Sequence, residues 1–357
     1  MPHTRRGFLE QSVIASTVAA AFPGAWANAA TAGPIKVGQI GVGHAHASKL
    51  DVFRKSKEYE VVGIVEPDEA LWTEATGQPA YRGLPWMTQE QLLNTPGLQL
   101  VLVETHVRDL LKTAEACVKA GKHVHLDKPA GESLPHYRRV LDEAAKQKLL
   151  VQMGYMFRYN PGIVMLREFL AAGWLGEIFE VQAVMSKVVD PRTRKQLAEY
   201  PGGILFELGC HIIDLVVGIL GKPVEVTPFP KQSLRGNDNL VDNMLAVLSY
   251  DSATATVKST AMEVEGGSRR QLVVCGTKGT FQVQPLDDPR VIMALDQPRG
   301  KFARGLQTIE LPTYTRYVDD AVDIARVLRG ERAPLYDYEH DLAVQDTVLR
   351  SANLPVQ

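Results

Sequence analysis

The sequence predicts an α/β chain in two parts: a doubly wound parallel Rossmann sheet, then an α+β part with an open, mainly antiparallel sheet. Three observations carry that prediction. From Ile35 to Met153, short apolar runs alternate with segments of helical spacing, the pattern of a parallel sheet with helices on both faces. The first run enters a glycine turn and the second ends in an acidic residue, Glu66, as in a dinucleotide-binding βαβ unit. After Pro161 most runs alternate in polarity and are joined by tight turns, as in antiparallel hairpins. A length of 357 residues suits two domains. The boundaries expected are a leader at 1–30, a nucleotide-binding domain at 34–157 and an α+β domain at 158–350, which would bind substrate.

Composition bounds the function. Hydrophobic residues make up 45% and charged residues 22%, the net charge is −2 and the pI is near 6.5. This is an ordinary globular balance with no basic patch, which argues against nucleic acid as a partner. The first residues read MPHTRRGFLEQ, SVIASTVAAAF and PGAWANAATAG: a charged start, an apolar run and a small-residue site, the anatomy of a secretory leader. Arg5-Arg6 followed by Phe8-Leu9 resembles a twin-arginine export signal. The apolar run is too short to span a bilayer comfortably. A periplasmic or extracytoplasmic protein is expected, with no stable membrane anchor once the leader is cut after Ala27 or Ala29. Cys117, Cys210 and Cys275 are odd in number, widely spaced and without a CxxC. They form neither a disulfide scaffold nor a zinc site and read as buried small side chains.

The elements follow in order. Ile35–Gly43 (IKVGQIGVG) is a strand running into glycines. Gly41 permits the tight turn, and Gly43 lets backbone approach a pyrophosphate held by free helix N–H groups. The third glycine of the fingerprint is replaced by His46, whose bulk is expected to loosen or shift the helix–strand contact. The next segment has helical spacing at Ala47, Leu50 and Phe53. A second strand then ends in Glu66, 25 residues after Gly41. A carboxylate there takes the ribose hydroxyls and repels a 2′-phosphate, favouring NAD over NADP. His44 and His46 flank Ala45 without a carboxylate or third histidine at helical spacing. They read as loop or cap residues near the cofactor, with no metal site expected.

A strand at 98–104, a helix at 109–120 stopped by Gly121, a strand at 124–126, a helix from Ser133 to Lys146 and a strand at 149–153 complete the first domain. Lys128-Pro129 sits at the carboxyl end of the fourth strand, where open parallel sheets bind ligands. A lysine there exchanges protons if its surroundings lower its pKa. Beyond lie a helix at 163–171, a strand at 177–188, strands at 243–250, 253–261, 270–275 and 280–284, and closing helices at 321–328 and 341–349. The polar stretch 187–200 reads as a loop near the cleft, with Lys187, Arg192 and Arg194 as candidate substrate contacts; residues 235–242 form a second such loop. In PGGILFELGCHIIDLV, Ile212, Leu215, Val216 and Ile219 have core spacing.

Three stretches resemble the glucose–fructose oxidoreductase / inositol dehydrogenase / MocA family. The first is IGVGHAH with VVGIVEPD. The second is AGKHVHLDKPAG, similar to the family's AGKHV-x-x-EKP with Asp127 in place of glutamate. The third is PGGILFELGCHIIDLV, similar to GG-x-x-x-D-x-G-x-H-x-x-D with Glu207 in place of aspartate. The likeness covers nearly the whole mature chain. It implies Lys128 as the catalytic lysine beside a nicotinamide, and His211 as the histidine bonded to the reacting hydroxyl. Glu207, four residues before His211, would share its helix face, orienting it or binding a substrate hydroxyl. Gly41, Val42, Gly43, His44 and Glu66 would hold the cofactor, with Thr105, Asp127 and Lys128 from the later strands. Arg158, Asn160, Asp214 and Lys187 would meet substrate. The family's Thr-Pro reads Thr105-His106 here, and Leu110 lies near the place of a missing histidine.

The chemistry implied is oxidation of a secondary alcohol of a sugar or cyclitol. Lys128, assisted by His211, would take the proton while hydride moves to NAD. Export implies a cofactor loaded beforehand and tightly held. Lysine's free pKa of about 10.4 must fall for this task. Two other readings are open: glycoside cleavage or epimerisation by transient oxidation, and a non-catalytic exported ligand-binding protein. The resemblance also implies a homo-oligomer formed through the open face of the second sheet.

Overall fold

A computed structural model describes residues 33–234 and 238–356. The expected leader with Arg5-Arg6 lies outside the described residues, as do positions 235–237 of the second candidate loop. The first sheet contains β1 (Ile35–Ile40), β2 (Tyr59–Val65), β3 (Leu98–Val103), β4 (His123–Leu126) and β5 (Val151–Met153). All pairs are parallel, in the order β2-β1-β3-β4-β5. Such strands are covered on both faces, which is why LQLVLV in β3 is almost continuously apolar. Helices α1 (Leu50–Lys55), α2 (Glu69–Thr76), α3 (Gln89–Leu93), α4 (Val107–Lys119) and α5 (Leu134–Lys146) connect or flank them. Asp68, Thr88 and Ser133 cap α2, α3 and α5 by accepting from first-turn N–H groups. The strand order reverses between β1 and β3, so their carboxyl ends open the crevice where such sheets bind ligands.

Helix α6 (Pro161–Ala171) leads into β6 (Ile178–Val184). The stretch expected as a loop after it contains a short helix, α7 (Pro191–Leu197). Asp190 accepts from the N–H groups of Arg192 and Thr193, and Pro191 occupies the first turn, where its missing N–H costs nothing. One turn of π-helix, 205–209, runs into α8 (Cys210–Leu220). Strands β7 (Glu225–Lys231), β8 (Asn243–Ser249), β9 (Thr254–Thr260), β10 (Gln271–Gly276), β11 (Gly279–Val283), β12 (Val291–Leu295) and β13 (Gly305–Ile309) follow. With β6 they form an eight-stranded sheet ordered β13-β12-β11-β10-β6-β9-β8-β7. It is antiparallel except for the β6–β9 pair. The edge strands β7 and β13 were not anticipated. Pro228 and Pro230 disguise β7, and a strand tolerates them because the outer edge needs no N–H donor. One face of the sheet is buried, with Val181, Ala246, Val257, Val274 and Phe281 sharing a core with α8.

Helices α9 (Val318–Leu328) and α10 (Tyr338–Ser351) close the chain. α9 crosses back to the first sheet: Ala321, Ile324, Val327 and Leu328 pack with Ile35, Leu50, Phe53 and Tyr59. The Tyr59 hydroxyl donates to the Ala321 carbonyl at 2.5 Å, and Arg329 pairs with Glu58. In the first turn of α9, Asp320 is 1% exposed and neither carboxylate oxygen has a partner. Burial pushes its pKa up to about 7. An acid with a raised folded pKa holds its proton while the unfolded chain ionises. Stability should therefore fall as pH rises from about 4 through 7, by about 4 kcal/mol in all. Asp320→Asn should remove that slope in urea unfolding measured across this range; an unchanged slope would contradict the assignment. Among the described residues, no helix is long and apolar enough to cross a membrane.

Candidate active site

A groove of about 660 Å³ opens at the carboxyl ends of β1, β2 and β3, lined by Gly43, Glu66, Leu71, Thr105, His106 and Arg108 among others. Gly41 has φ +92°, and a Cβ there would come within 2.5 Å of the Thr105 nitrogen. A Cβ on Gly43 would stand 3.0 Å from the His106 ring. Gly41 is required by its left-handed backbone and close approach, and Gly43 leaves little room for a side chain beside His106. Glu66 sits at the rim and accepts from the N–H groups of Val42 and Asp68, each at 2.9 Å. The shape, the bare backbone and the carboxylate suit a dinucleotide, with the ribose at Glu66 and the pyrophosphate over the 41–43 turn.

Behind this turn lies a charged cluster built on Asp127, which is fully buried. Asp127 accepts from Lys49 Nζ at 2.5 Å and from its neighbour's backbone, Lys128 N, at 2.6 Å. Its Oδ1 lies 3.2 Å from His46 Nδ1 and its Oδ2 3.3 Å from His44 Nδ1. Lys49 Nζ is also 3.0 Å from Glu104. Burial raises the Asp127 pKa, but the opposing pull of His44, Lys49 and His46 wins and holds it well below the usual range. Glu104 moves the other way: burial and the neighbouring Asp127 charge drive it well up. Asp127 is the anion of the pair and Glu104 the protonated partner. An ionised carboxylate only accepts, so His46 carries its proton on Nδ1. His44 Nε2 lies 2.9 Å from the Lys128 carbonyl, which likewise only accepts. The donor atoms of His44, His46 and Asp127 lie within 4.8 Å of one another, and Lys49 donates to the Asp127 carboxylate of this group.

His46 stands where the fingerprint has its third glycine. The chain enters α1 through a 3₁₀ turn, Ala47–Lys49, and Ala47 takes the buried position. The His46 side chain is 15% exposed, and its ring lies 5.4 Å from that of His211. Burial lowers its pKa to about 3, opposed by Asp127 and reinforced by Lys128 and His44.

Lys128 is 1% exposed and donates to Glu207 twice, to the carbonyl at 2.9 Å and to Oε1 at 2.8 Å. The longer Glu207 side chain is thus an ion-pair partner for the lysine. This corrects the expectation of a lowered lysine pKa. Burial does push it down, but Glu207, Cys210 and Asp127 outweigh burial and the net shift is upward. Burial raises the Glu207 pKa, yet Lys128 and Lys187 bring it down to about 2. Both partners are charged at neutral pH. His211 is 1% exposed, and neither ring nitrogen has a hydrogen-bond partner. Its ring packs against His46 at 5.4 Å, Phe157 at 5.9 Å and Tyr155 at 6.0 Å. Burial, then the Lys128 charge, hold it well below the usual histidine range, so it is neutral.

Three residues expected to meet substrate do not face the cleft. Arg158 is buried and donates to Asp214 at 2.5 Å and to Asp341 at 2.5 Å. Its guanidinium stacks 4.0 Å from the Tyr336 ring and 4.9 Å from Tyr155. Asn160 caps α6 and donates to the Leu286 carbonyl at 2.7 Å. These groups are spent on the junction between the two sheets. Asp127 and His44 likewise brace the 41–46 turn from behind. Among the loop arginines, Arg194 donates to Asp238 and Asp242, and Arg192 to Glu74. Lys187 remains at the site, its charge acting on Glu207.

Sequence reasoning missed Lys49, Glu104, Tyr317 and the side of His46 that faces His211. Tyr317 lies 5.8 Å from His46, ring to ring, with Lys49 Nζ 4.6 Å from its centroid. Its φ of +67° is rare for a bulky residue. No local motif marks it, since it reaches the site only because α9 crosses back.

Residues 35–155 match the family model "Oxidoreductase family, NAD-binding Rossmann fold", and residues 163–282 match "GFO/IDH/MocA C-terminal domain". The chain is similar to the Escherichia coli oxidoreductase YdgJ, 27% identical over 264 residues, spanning 71% of this chain and 72% of that one. It is similar to the myo-inositol 2-dehydrogenase of Thermotoga maritima, 23% identical over 272 residues, spanning 74% and 79%. In fold it is similar to GenD2 from gentamicin A biosynthesis, solved in complex with NAD, with a TM-score of 0.74 at 22% identity over 90% of this chain and 95% of that one. With both halves matched, the chain belongs to the Gfo/Idh/MocA family of NAD-binding oxidoreductases.

Proposed function

We propose that the chain is an exported dehydrogenase that oxidises a secondary alcohol of a sugar or cyclitol and keeps its NAD bound. The observation that carries this reading is the pairing of a charged Lys128 with a neutral, unpartnered His211 at the junction. Inositol dehydrogenases among its relatives support the substrate class, and the residues before Pro34 support export. Gly41, Gly43, Glu66 and Thr105 would hold the dinucleotide, and the nicotinamide supplies the hydride acceptor when bound.

The chain's own groups divide the remaining work. An ammonium has three donors, and two of Lys128's are engaged with Glu207. The third is available to the substrate oxygen, where it would stabilise the charge that develops as the O–H bond breaks. As an ammonium Lys128 cannot accept that proton. His211 has a free lone pair and takes it at a ring nitrogen. Tyr155 and Phe157 wall the imidazole and exclude water. Lys187 would meet outlying substrate hydroxyls. A second copy would cover the open face of the larger sheet, where Leu245, Val247 and Val273 are half-buried.

The ion pairs around α7 support a retained cofactor. Arg192 pairs with Glu74 on α2 at 2.9 Å, and Glu199, just after α7, pairs with Arg108 on α4 at 2.7 Å. The segment thus ties both walls of the groove to the second sheet. Mature protein purified without added nucleotide should release NAD on denaturation, identified by mass. An empty protein with weak affinity for added NAD would contradict the proposal. The two ion pairs are exposed and screened by salt. In Arg192→Ala/Glu199→Ala, NAD release measured by fluorescence should speed several-fold and lose most of its salt dependence.

A further inference from the structure

Oxidation of an alcohol leaves one proton on the enzyme per turnover, and the group that accepts it here is enclosed. His211 is 1% exposed. Two of its ring neighbours, Tyr155 and Phe157, are buried and wall it off. A third is His46, 5.4 Å away at 49° and with 15% of its side chain exposed. His46 is also the residue that departs from the glycine fingerprint. Asp127 holds its Nδ1 at 3.2 Å. Because that nitrogen carries the proton, Nε2 is bare and able to accept. This inference rests on the dehydrogenase reading above.

We propose that His46, held by Asp127, is a relay residue that carries the proton from His211 to solvent. In the step, the His211 imidazolium gives its proton to one bridging water on the His46 side, which gives one of its own to His46 Nε2, so that one N–H bond breaks, one N–H bond forms and the water is unchanged. Asp127 stabilises the resulting imidazolium without itself taking the proton. Solvent water then removes a proton from His46, and both rings return to neutral. No electrons move beyond the hydride transfer already described. Glu207, the other polar group near Lys128, is a poor alternative, because protonating it would break its ion pair with the lysine. A relay must be neutral at rest and must release its proton readily. The enclosed, cation-flanked setting of His46 provides both.

The informative substitution is His46→Gly, which restores the third glycine of the fingerprint and should leave NAD affinity equal or improved. With NAD-loaded protein and a panel of cyclitols and sugars, the first turnover of hydride transfer should be unchanged. Steady-state turnover, with a soluble redox dye present to reoxidise the bound reduced nicotinamide, should fall roughly 10- to 100-fold, within the range for acid–base groups, exposing a burst absent from the wild type. Added imidazole at fixed pH should restore much of the loss. Equal loss in both phases without imidazole rescue would overturn the relay and leave a merely structural role. A wild type inactive on every alcohol would instead fail the dehydrogenase reading, and the relay with it. A readout independent of activity is ¹⁵N NMR of labelled histidine in the resting protein. His46 should be protonated at Nδ1 and bare at Nε2 at neutral pH, and the reverse tautomer would overturn the relay by itself.

Discussion

Lys128→Met should lower turnover by a factor on the order of 10²–10⁴ while leaving NAD affinity within a few-fold of the parent. The reasoning is electrostatic. An alcohol oxygen losing its proton becomes anionic, and the Lys128 ammonium is the positive donor placed to meet it, in a site from which water is excluded. The Met side chain has similar length and no charge, so packing is largely kept. Glu207 is then left buried beside Lys187 alone, and its carboxyl pKa should rise from about 2. Glu207→Gln provides the complementary test. It removes the counter-charge, so burial is no longer opposed as strongly and the Lys128 pKa should fall. The alkaline limb of the pH–rate profile should move to lower pH, because the ammonium is lost earlier. A Lys128→Met protein with unaltered turnover, measured by nicotinamide reduction, would remove this residue from the mechanism.

Arg158→Met should be the most destabilising single change at the junction, by about 3–5 kcal/mol. Asp214 and Asp341 both depend on the same guanidinium, and all three side chains are buried. Burial raises the Asp214 pKa, and Arg158 and His340 together pull it below the ordinary range. An acid with a depressed folded pKa adds stability above its unfolded pKa and loses it as pH falls through the folded one. This contribution should be present at neutral pH and disappear in acid. Urea unfolding at neutral pH should show the loss, and the gap between variant and parent should narrow below about pH 4. The triple change Arg158→Met/Asp214→Asn/Asp341→Asn should recover part of it, since it leaves no unpaired charge. The effect reaches the active site through Tyr155, whose ring touches both Arg158 and His211.

The fold was legible in the sequence where one physical signal dominated. Buried parallel strands are apolar throughout, and LQLVLV and the run before Gly41 could hardly be anything else. Asp190 and Pro191 are a strong helix start, but the helix they open is polar and short, so composition masked it. Prolines in β7 masked an edge strand that tolerates them. At the site, the lysine and histidine were visible because they lie in distinctive local patterns. Their charge states were not. These depend on Glu207 reaching Lys128 and on the burial of His211, both properties of the assembled junction. Arg158, Asn160 and Asp214 were misassigned for a related reason. Polar residues at a domain junction can serve a ligand or the junction itself, and only the partners distinguish the two. The Lys49–Asp127–Glu104 cluster joins two strand ends and the 3₁₀ turn before α1, so no spacing rule announces it.

The central claim is that Lys128 and His211 together oxidise a carbon–hydrogen bond of a secondary alcohol using nucleotide held by this chain. The most direct measurement is a single-turnover experiment on NAD-loaded mature protein with an inositol or sugar carrying deuterium at the reacting carbon. The account predicts that the reduced nicotinamide recovered from the protein carries that deuterium, and that none is transferred in the Lys128→Met/His211→Ala protein over the same time. Deuterium retained on the alcohol with every substrate tried, or equal transfer by the double variant, would contradict it.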